Sequence, residues 1–272
     1  MTRGLIIVPA CNEATSLEYF LPRLIGTARK IPDTTIEIVV VDDGSTDNTF
    51  DVVKKRKCRY IRHKHNKGLG VCLRTGYQLA VDENCDFLAS MDADGQHDCN
   101  LLDLMIDRLQ NGADLVTASR YHPESERFSP PIDRDLLNIA FTAIIRSITG
   151  WQHITDPLTG FWAMKLRVAK FLAENLKLER YGTCLEGLIK LWYLCNPRPV
   201  LIEVPHPAVY AQNSGGILNR TYSDANREQR IERFGTHALH IVKILQDVAE
   251  AGHEREIMKA IRRWRLNLVK DL

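Results

Sequence analysis

The first half of this chain alternates in a way that leaves little choice of fold. Gly4-Leu5-Ile6-Ile7-Val8-Pro9, Ile36 to Val41, Cys58 to His63 and Asp86-Phe87-Leu88-Ala89 are short apolar runs. Between them lie stretches of helical spacing, with Leu17, Phe20, Leu21 and Leu24 on one side of the first and Arg74, Tyr77 and Leu79 following Gly68-Leu69-Gly70. Runs that are apolar without alternation suit strands covered on both faces, and strands separated by helices return in the same direction. The predicted fold is α/β, a mostly parallel sheet flanked by helices with right-handed crossovers. Most of these strands end in acid: Glu13 after the first, Asp42 and Asp43 after the second, Asp92 and Asp94 after the fourth. Parallel strands present their carboxyl ends along one edge, the edge where such sheets bind ligands, so these acids are expected to converge.

The most informative of the acidic ends is Ser90-Met91-Asp92-Ala93-Asp94-Gly95-Gln96-His97. In extended backbone Asp92 and Asp94 point the same way, and Gln96 continues the row with a neutral oxygen. Three such oxygens suit a hard divalent cation that already carries phosphate oxygens, Mg²⁺ or Mn²⁺. The same residues also suit an acid-rich polar turn. A carboxylate at a strand end can bind ribose hydroxyls or a base edge. A dinucleotide oxidoreductase would place G-x-G-x-x-G after its first strand, where this chain has Pro9-Ala10-Cys11-Asn12-Glu13. Gly68-x-Gly70 is not that fingerprint either.

Charge and cysteine usage narrow the partners. A formal charge of +2 provides no global basic field, so nucleic acid is not an expected partner. The seven cysteines are scattered without metal-finger spacing and read as the reduced thiols of a cytoplasmic protein. The N-terminus enters a strand without a secretory pattern, and no run approaches the roughly 18 apolar residues of a membrane span, so any membrane contact is expected to be peripheral.

Val8-Pro9-Ala10-Cys11-Asn12-Glu13, Val41-Asp42-Asp43-Gly44-Ser45-Thr46-Asp47, Asn66-Lys67-Gly68-Leu69-Gly70 with Arg74-Thr75-Gly76, and Asp92 to His97 occur in an order that resembles family 2 glycosyltransferases of the GT-A fold. The nearest likeness is to dolichyl- and polyprenyl-phosphate mannosyl- and glucosyltransferases, and it continues through Gly112 to Tyr121 and Asp156-Pro157-Leu158-Thr159-Gly160-Phe161. The resemblance implies inverting transfer of a hexose from a nucleotide-diphosphate sugar of the GDP-mannose or UDP-glucose type. It implies that Pro9, Cys11, Glu13, Asp42 and Asp43 surround the base and ribose, with Cys11 where many relatives carry tyrosine. It places Asp92 and Ala93 at the ribose or sugar, and Asp92, Asp94 and Gln96 at the cation. Arg120 and Arg134 would meet the acceptor phosphate or donor diphosphate. Asp156 would orient the acceptor or form an Asx turn, and Glu186 would be an acid beside the sugar or a helix carboxylate.

The implied acceptor is a polyprenyl phosphate, which is already anionic and needs positioning but no base. A soluble hydroxyl acceptor would need one, with Asp156 or Glu186 available. The segment Val209 to Asn219 lacks the arginine and Gly-Ser-Lys element of the polyprenyl-phosphate group, although Arg220 lies close. A non-catalytic nucleotide-sugar binding protein is the reading from another class. The chain divides into a transferase domain over 1–223, with a donor half 1–120 and an acceptor half 121–223, and a helical extension over 224–272. His122 to Asp133 reads as a lid. In the extension, Ile231, Phe234, Ala238, Ile241, Leu245 and Val248 mark one helix, and Ile257, Ile261, Trp264 and Leu268 a second. With Arg262, Arg263 and Arg265 beside it, the second helix is suited to an anionic membrane or to packing on its own domain.

Overall fold

The computed structural model describes residues 2–125, 132–180, 182–207 and 227–270. Among them β1 (Thr2–Ala10), β2 (Thr34–Asp42), β3 (Arg59–Arg62), β4 (Phe87–Ser90), β5 (Leu115–Ser119), β6 (Trp162–Lys165) and β7 (Leu201–Pro205) form one sheet in the order β3-β2-β1-β4-β6-β5-β7. The four strands of the first half are parallel, as the alternation requires. β6 runs antiparallel between β4 and β5, which makes the sheet mixed.

Side-chain parity explains why the strands are apolar throughout. Leu5, Ile7, Val39, Val41 and Leu88 point into one helical layer, while Ile6, Val8, Val40 and Ala89 point into the other. The first layer includes α3 (Leu69–Asp82), α5 (Ile132–Thr149), α6 (Leu166–Asn175) and α7 (Thr183–Tyr193). The second includes α1 (Ala14–Ala28), α2 (Thr49–Lys55) and α4 (Leu101–Gln110). Each layer removes one sheet face from water, and that burial is the main favourable contribution to folding.

The C-terminal helices share this core. α8 (Arg227–Val248) packs on α7, and α9 (Glu254–Lys270) packs on α5 after a π-helical turn, Ala249–His253, in which Gly252 has φ 98°. Ile241, Ile244, Val248 and Ile257 belong to the same apolar cluster as Leu5 and Leu185. The expected side chains of Ile231, Phe234, Trp264 and Leu268, the segment Val209 to Arg220 and most of the His122 to Asp133 loop lie outside the described residues.

Candidate active site

Parity continues beyond β4 and places the acids. Pairing with β1 stops at Ser90, yet Met91 and Ala93 stay buried in the α1/α4 layer while Asp92 lies on the opposite side, lining a small cavity with Pro9, Ser90 and Gly160. The extended backbone expected through Gln96 is not formed. Gly95 turns the chain at φ 74°, and Asp94 Oδ1 accepts the Gln96 N–H at 2.9 Å. The chain therefore leaves the sheet by a turn, in which a carboxylate two residues back satisfies the Gln96 N–H.

Three carboxylates feel one another at this edge. Burial raises the pKa of Asp94, and the neighbouring Asp92 raises it further. Asp92 is likewise raised by burial, and Glu13 is raised by burial and then by Asp94, Asp47 and Asp92. Gly160 makes room: a Cβ there would stand 3.2 Å from Asp92 Oδ1. A divalent cation relieves carboxylates that raise one another's pKa, and Asp92 and Asp94 are the residues of this edge that could hold one.

Beside the cluster stands a fork-to-fork ion pair. Arg120 donates from Nε to Asp156 Oδ2 at 2.7 Å and from Nη2 to Oδ1 at 3.0 Å, and its backbone N–H reaches Oδ2 at 3.2 Å. Asp156 is 1% exposed, and its own N–H donates to Glu203 Oε1 at 3.1 Å. Thr155 donates to Glu203 Oε2 from its N–H at 2.7 Å and from its hydroxyl at 2.6 Å. The arginine is thus preorganised by an acid with no oxygen to spare. Arg134, in the first turns of α5, is near enough for its charge to oppose the rise in the Asp94 pKa.

The acids after β2 organise loops rather than stand free. Asp42 accepts the Ser45 N–H at 2.9 Å together with the hydroxyls of Ser45 and Tyr60. Asp43 accepts the N–H groups of Lys67 at 2.9 Å and Gly68 at 2.6 Å and pairs with His63 at 2.9 Å, which holds its carboxyl below the usual range against its burial. Gly68, at φ 97°, has Glu179 O where a Cβ would be, so the turn admits no side chain without a shift. Cys11 is half-buried, its thiol near Asp43 O at 3.7 Å and accepting from Asn66 Nδ2 at 3.3 Å.

The model for "Glycosyl transferase family 2" matches residues 5–172. The chain belongs to this family. An undecaprenyl-phosphate mannosyltransferase of Micrococcus luteus is 31% identical over 236 residues, covering 83% of this chain and 93% of the relative. A UDP-N-acetylglucosamine–dolichyl-phosphate N-acetylglucosaminyltransferase of Methanococcus voltae is 28% identical over 228 residues, covering 77% and 86%. Among solved structures, glucosyl-3-phosphoglycerate synthase from Mycobacterium tuberculosis, in complex with Mn²⁺, UDP and glucosyl-3-phosphoglycerate, superposes with a TM-score of 0.63 at 17% identity, covering 91% of this chain and 80% of that one. The architecture is the GT-A type, and the protein is a glycosyltransferase.

Within this family 2 transferase, one expected site residue is committed elsewhere. Glu186 is 1% exposed and accepts the N–H groups of Lys177 and Leu178, both at 2.9 Å, and Lys190 Nζ at 2.6 Å. This carboxylate bridges a loop to its own helix, the helix-carboxylate alternative of the two expected roles. Ala93 is a buried core methyl, so only its backbone can approach a ligand.

The residues that sequence reasoning passed over act through space. His97, Phe161 and His206 form a block of rings beside the loop from Asp92 to Asp98, with His97 stacked on Phe161 at 5.1 Å. Burial pushes both histidines down to about 4, which keeps them neutral. His97 was visible in the acidic motif but carried no distinguishing spacing, and His206 had no local signal because its contacts come from another strand.

Proposed function

We propose that this transferase moves a hexose, with inversion, from a nucleotide-diphosphate sugar of the GDP-mannose or UDP-glucose type to a polyprenyl phosphate. The observation that carries the reading is on the acceptor question: the buried acid Asp156 has both oxygens committed to Arg120, while Glu13, Asp92 and Asp94 influence one another electrostatically nearby. A hydroxyl acceptor needs a free base, whereas a phosphate acceptor needs a cation held in place, the role we give to Arg120 braced by Asp156. The relatives whose names specify dolichyl and undecaprenyl phosphate support the same acceptor class.

Asp92, Asp94 and Gln96 would hold Mg²⁺ or Mn²⁺, which when bound supplies Lewis-acid stabilisation to a leaving diphosphate. In this reading Pro9, Cys11 and Glu13 line the base and ribose region of the donor, and the loops braced by Asp42 and Asp43 wall it. Arg134 meets the acceptor phosphate beside Arg120. Residues 1–120 form the donor half and 121–223 the acceptor half, with 224–272 braced behind them. No described helix is long and apolar enough to cross a membrane, and in this reading the lipid acceptor is met at the bilayer surface.

Incubation with Mn²⁺, labelled GDP-mannose or UDP-glucose, and undecaprenyl phosphate should give label extractable into organic solvent. D94A should lower that rate on the order of a hundredfold or more while the fold persists. Label found only on added soluble alcohols would reject the lipid acceptor, and nucleotide binding without any transfer would reject an enzyme.

A further inference from the structure

We propose that His206 is a positioning residue for the cation-binding loop, acting from the far edge of the sheet. The inference rests on the proposed assignment of Asp92, Asp94 and Gln96 to the cation. The loop connects β4 to α4, and both of its ends are held by imidazoles. At the near end the Asp92 N–H donates to His97 Nδ1 at 3.0 Å, and Nε2 of the same ring lies 3.6 Å from Asp92 Oδ2. At the far end the Asp98 N–H donates to His206 Nε2 at 3.0 Å. Asp98 launches α4, with its Oδ1 accepting the Asn100 N–H and its carbonyl the Leu101 N–H, each at 3.1 Å.

His206 belongs to neither element. It follows β7, separated from β4 by β6 and β5, and its backbone N–H donates to Ser119 O at 2.9 Å and Ser125 Oγ at 3.1 Å. The ring is 2% exposed and stands edge-on to His97 at 5.9 Å and to Phe161 at 6.0 Å. One residue thereby ties the segment after Arg120 to the end of the cation loop. A ligand-bearing turn with both ends fixed keeps its oxygens in place before the cation arrives, which is how supporting hydrogen bonds act on metal affinity. An aliphatic or phenyl ring at 206 would fill the space but leave the Asp98 N–H without its acceptor.

Hydrogen bonding also dictates the tautomers. His206 accepts at Nε2 and must carry its proton at Nδ1, whereas His97 accepts at Nδ1 and carries its proton at Nε2. Long-range ¹H–¹⁵N NMR of the wild-type protein should show these opposite tautomers, and hydrogen exchange should find the Asp98 amide protected. Mn²⁺ binding, read from the EPR signal of the free ion, should weaken about tenfold in H206F. H206Q, whose side-chain oxygen can accept the same N–H, should retain most of the wild-type affinity. The proposal is overturned if His206 carries its proton at Nε2, if the Asp98 amide exchanges freely, if H206F binds Mn²⁺ like wild type, or if H206Q is as weak as H206F. A wild-type protein that does not bind Mn²⁺ overturns the cation assignment and the proposal with it. Wild-type binding matched by H206F overturns the proposal alone.

Discussion

Asp94 sits between two carboxylates and a turn that it helps to close, and its ionisation links pH, cation and stability. Glu13, Asp92 and Asp94 are all raised in the folded state, so the native protein holds these protons more tightly than the unfolded chain. Stability contributed by these groups therefore falls as pH rises from the ordinary carboxylate range through the raised values. A cation reverses the penalty. At neutral pH, Mn²⁺ at about a hundredfold its dissociation constant should raise Tm by roughly 5 °C. D94N should raise the Tm of metal-free protein and shrink the Mn²⁺ increment, both by scanning fluorimetry. The buried histidines work in the other direction. His97 and His206 fall from 6.5 to about 4, so the stability they contribute above 6.5 is lost as pH drops through that window. These terms oppose those of the raised carboxylates, so the comparison isolates them: from pH 7 to 4.5 H206F should lose less of its urea midpoint than wild type loses.

At the scale of elements, caps and straps are assigned by long-range partners. Ser45 and Thr46 are the local candidates to cap α2, but Ser45 accepts the Asn12 N–H at 2.8 Å while Thr46 donates to Asn12 Oδ1. Asp47 does the capping instead, taking the N–H of Thr49 at 3.0 Å and that of Ala14 at 3.1 Å, so one carboxylate starts both α2 and α1. Glu186 is the corresponding strap on α7. Its bonds hold Lys177 and Leu178, whose neighbour Glu179 accepts the Gly70 N–H at 2.8 Å, so the loop closes over the start of α3. Lys190 is 2% exposed, and removing its partner leaves a buried charge. E186A should cost about 3 kcal/mol or more by urea unfolding, and the E186L/K190L pair should cost less than E186A alone. A larger loss of activity than of stability in E186Q would instead place this acid in the chemistry.

At the scale of the molecule, several large apolar side chains are left exposed on α5, α8 and α9. Ile132, Leu136 and Ile139 on α5, Leu239 and Val242 on α8 and Met258 on α9 are each at least 44% exposed, while the opposite faces of α5 and α8 bury Phe141, Ile145, Ile241 and Ile244. On α9, Arg255, Lys259, Arg262 and Arg263 are exposed beside Glu254 and Glu256, and contact of these helices with an anionic bilayer belongs to the proposed lipid-acceptor reading. Replacing Leu136 and Ile139 by glutamate should reduce co-sedimentation with phosphatidylglycerol-containing liposomes about tenfold, with Tm little changed, because the residues contribute to binding and not to the core. The parallel direction of the first four strands, their flanking helices and the acidic strand ends could be read from the chain, because burial period and strand-end position are local properties, whereas the strand order could not. The sequence by itself determined that Glu13, Asp92 and Asp94 share an edge, since parallel strands have nowhere else to present their carboxyl ends. Only the tertiary structure decided that Arg120 is paired with Asp156, that Glu186 is a strap and that His206 reaches Asp98. Those contacts join residues 36, 9 and 108 positions apart through hydrogen bonds that no local spacing encodes.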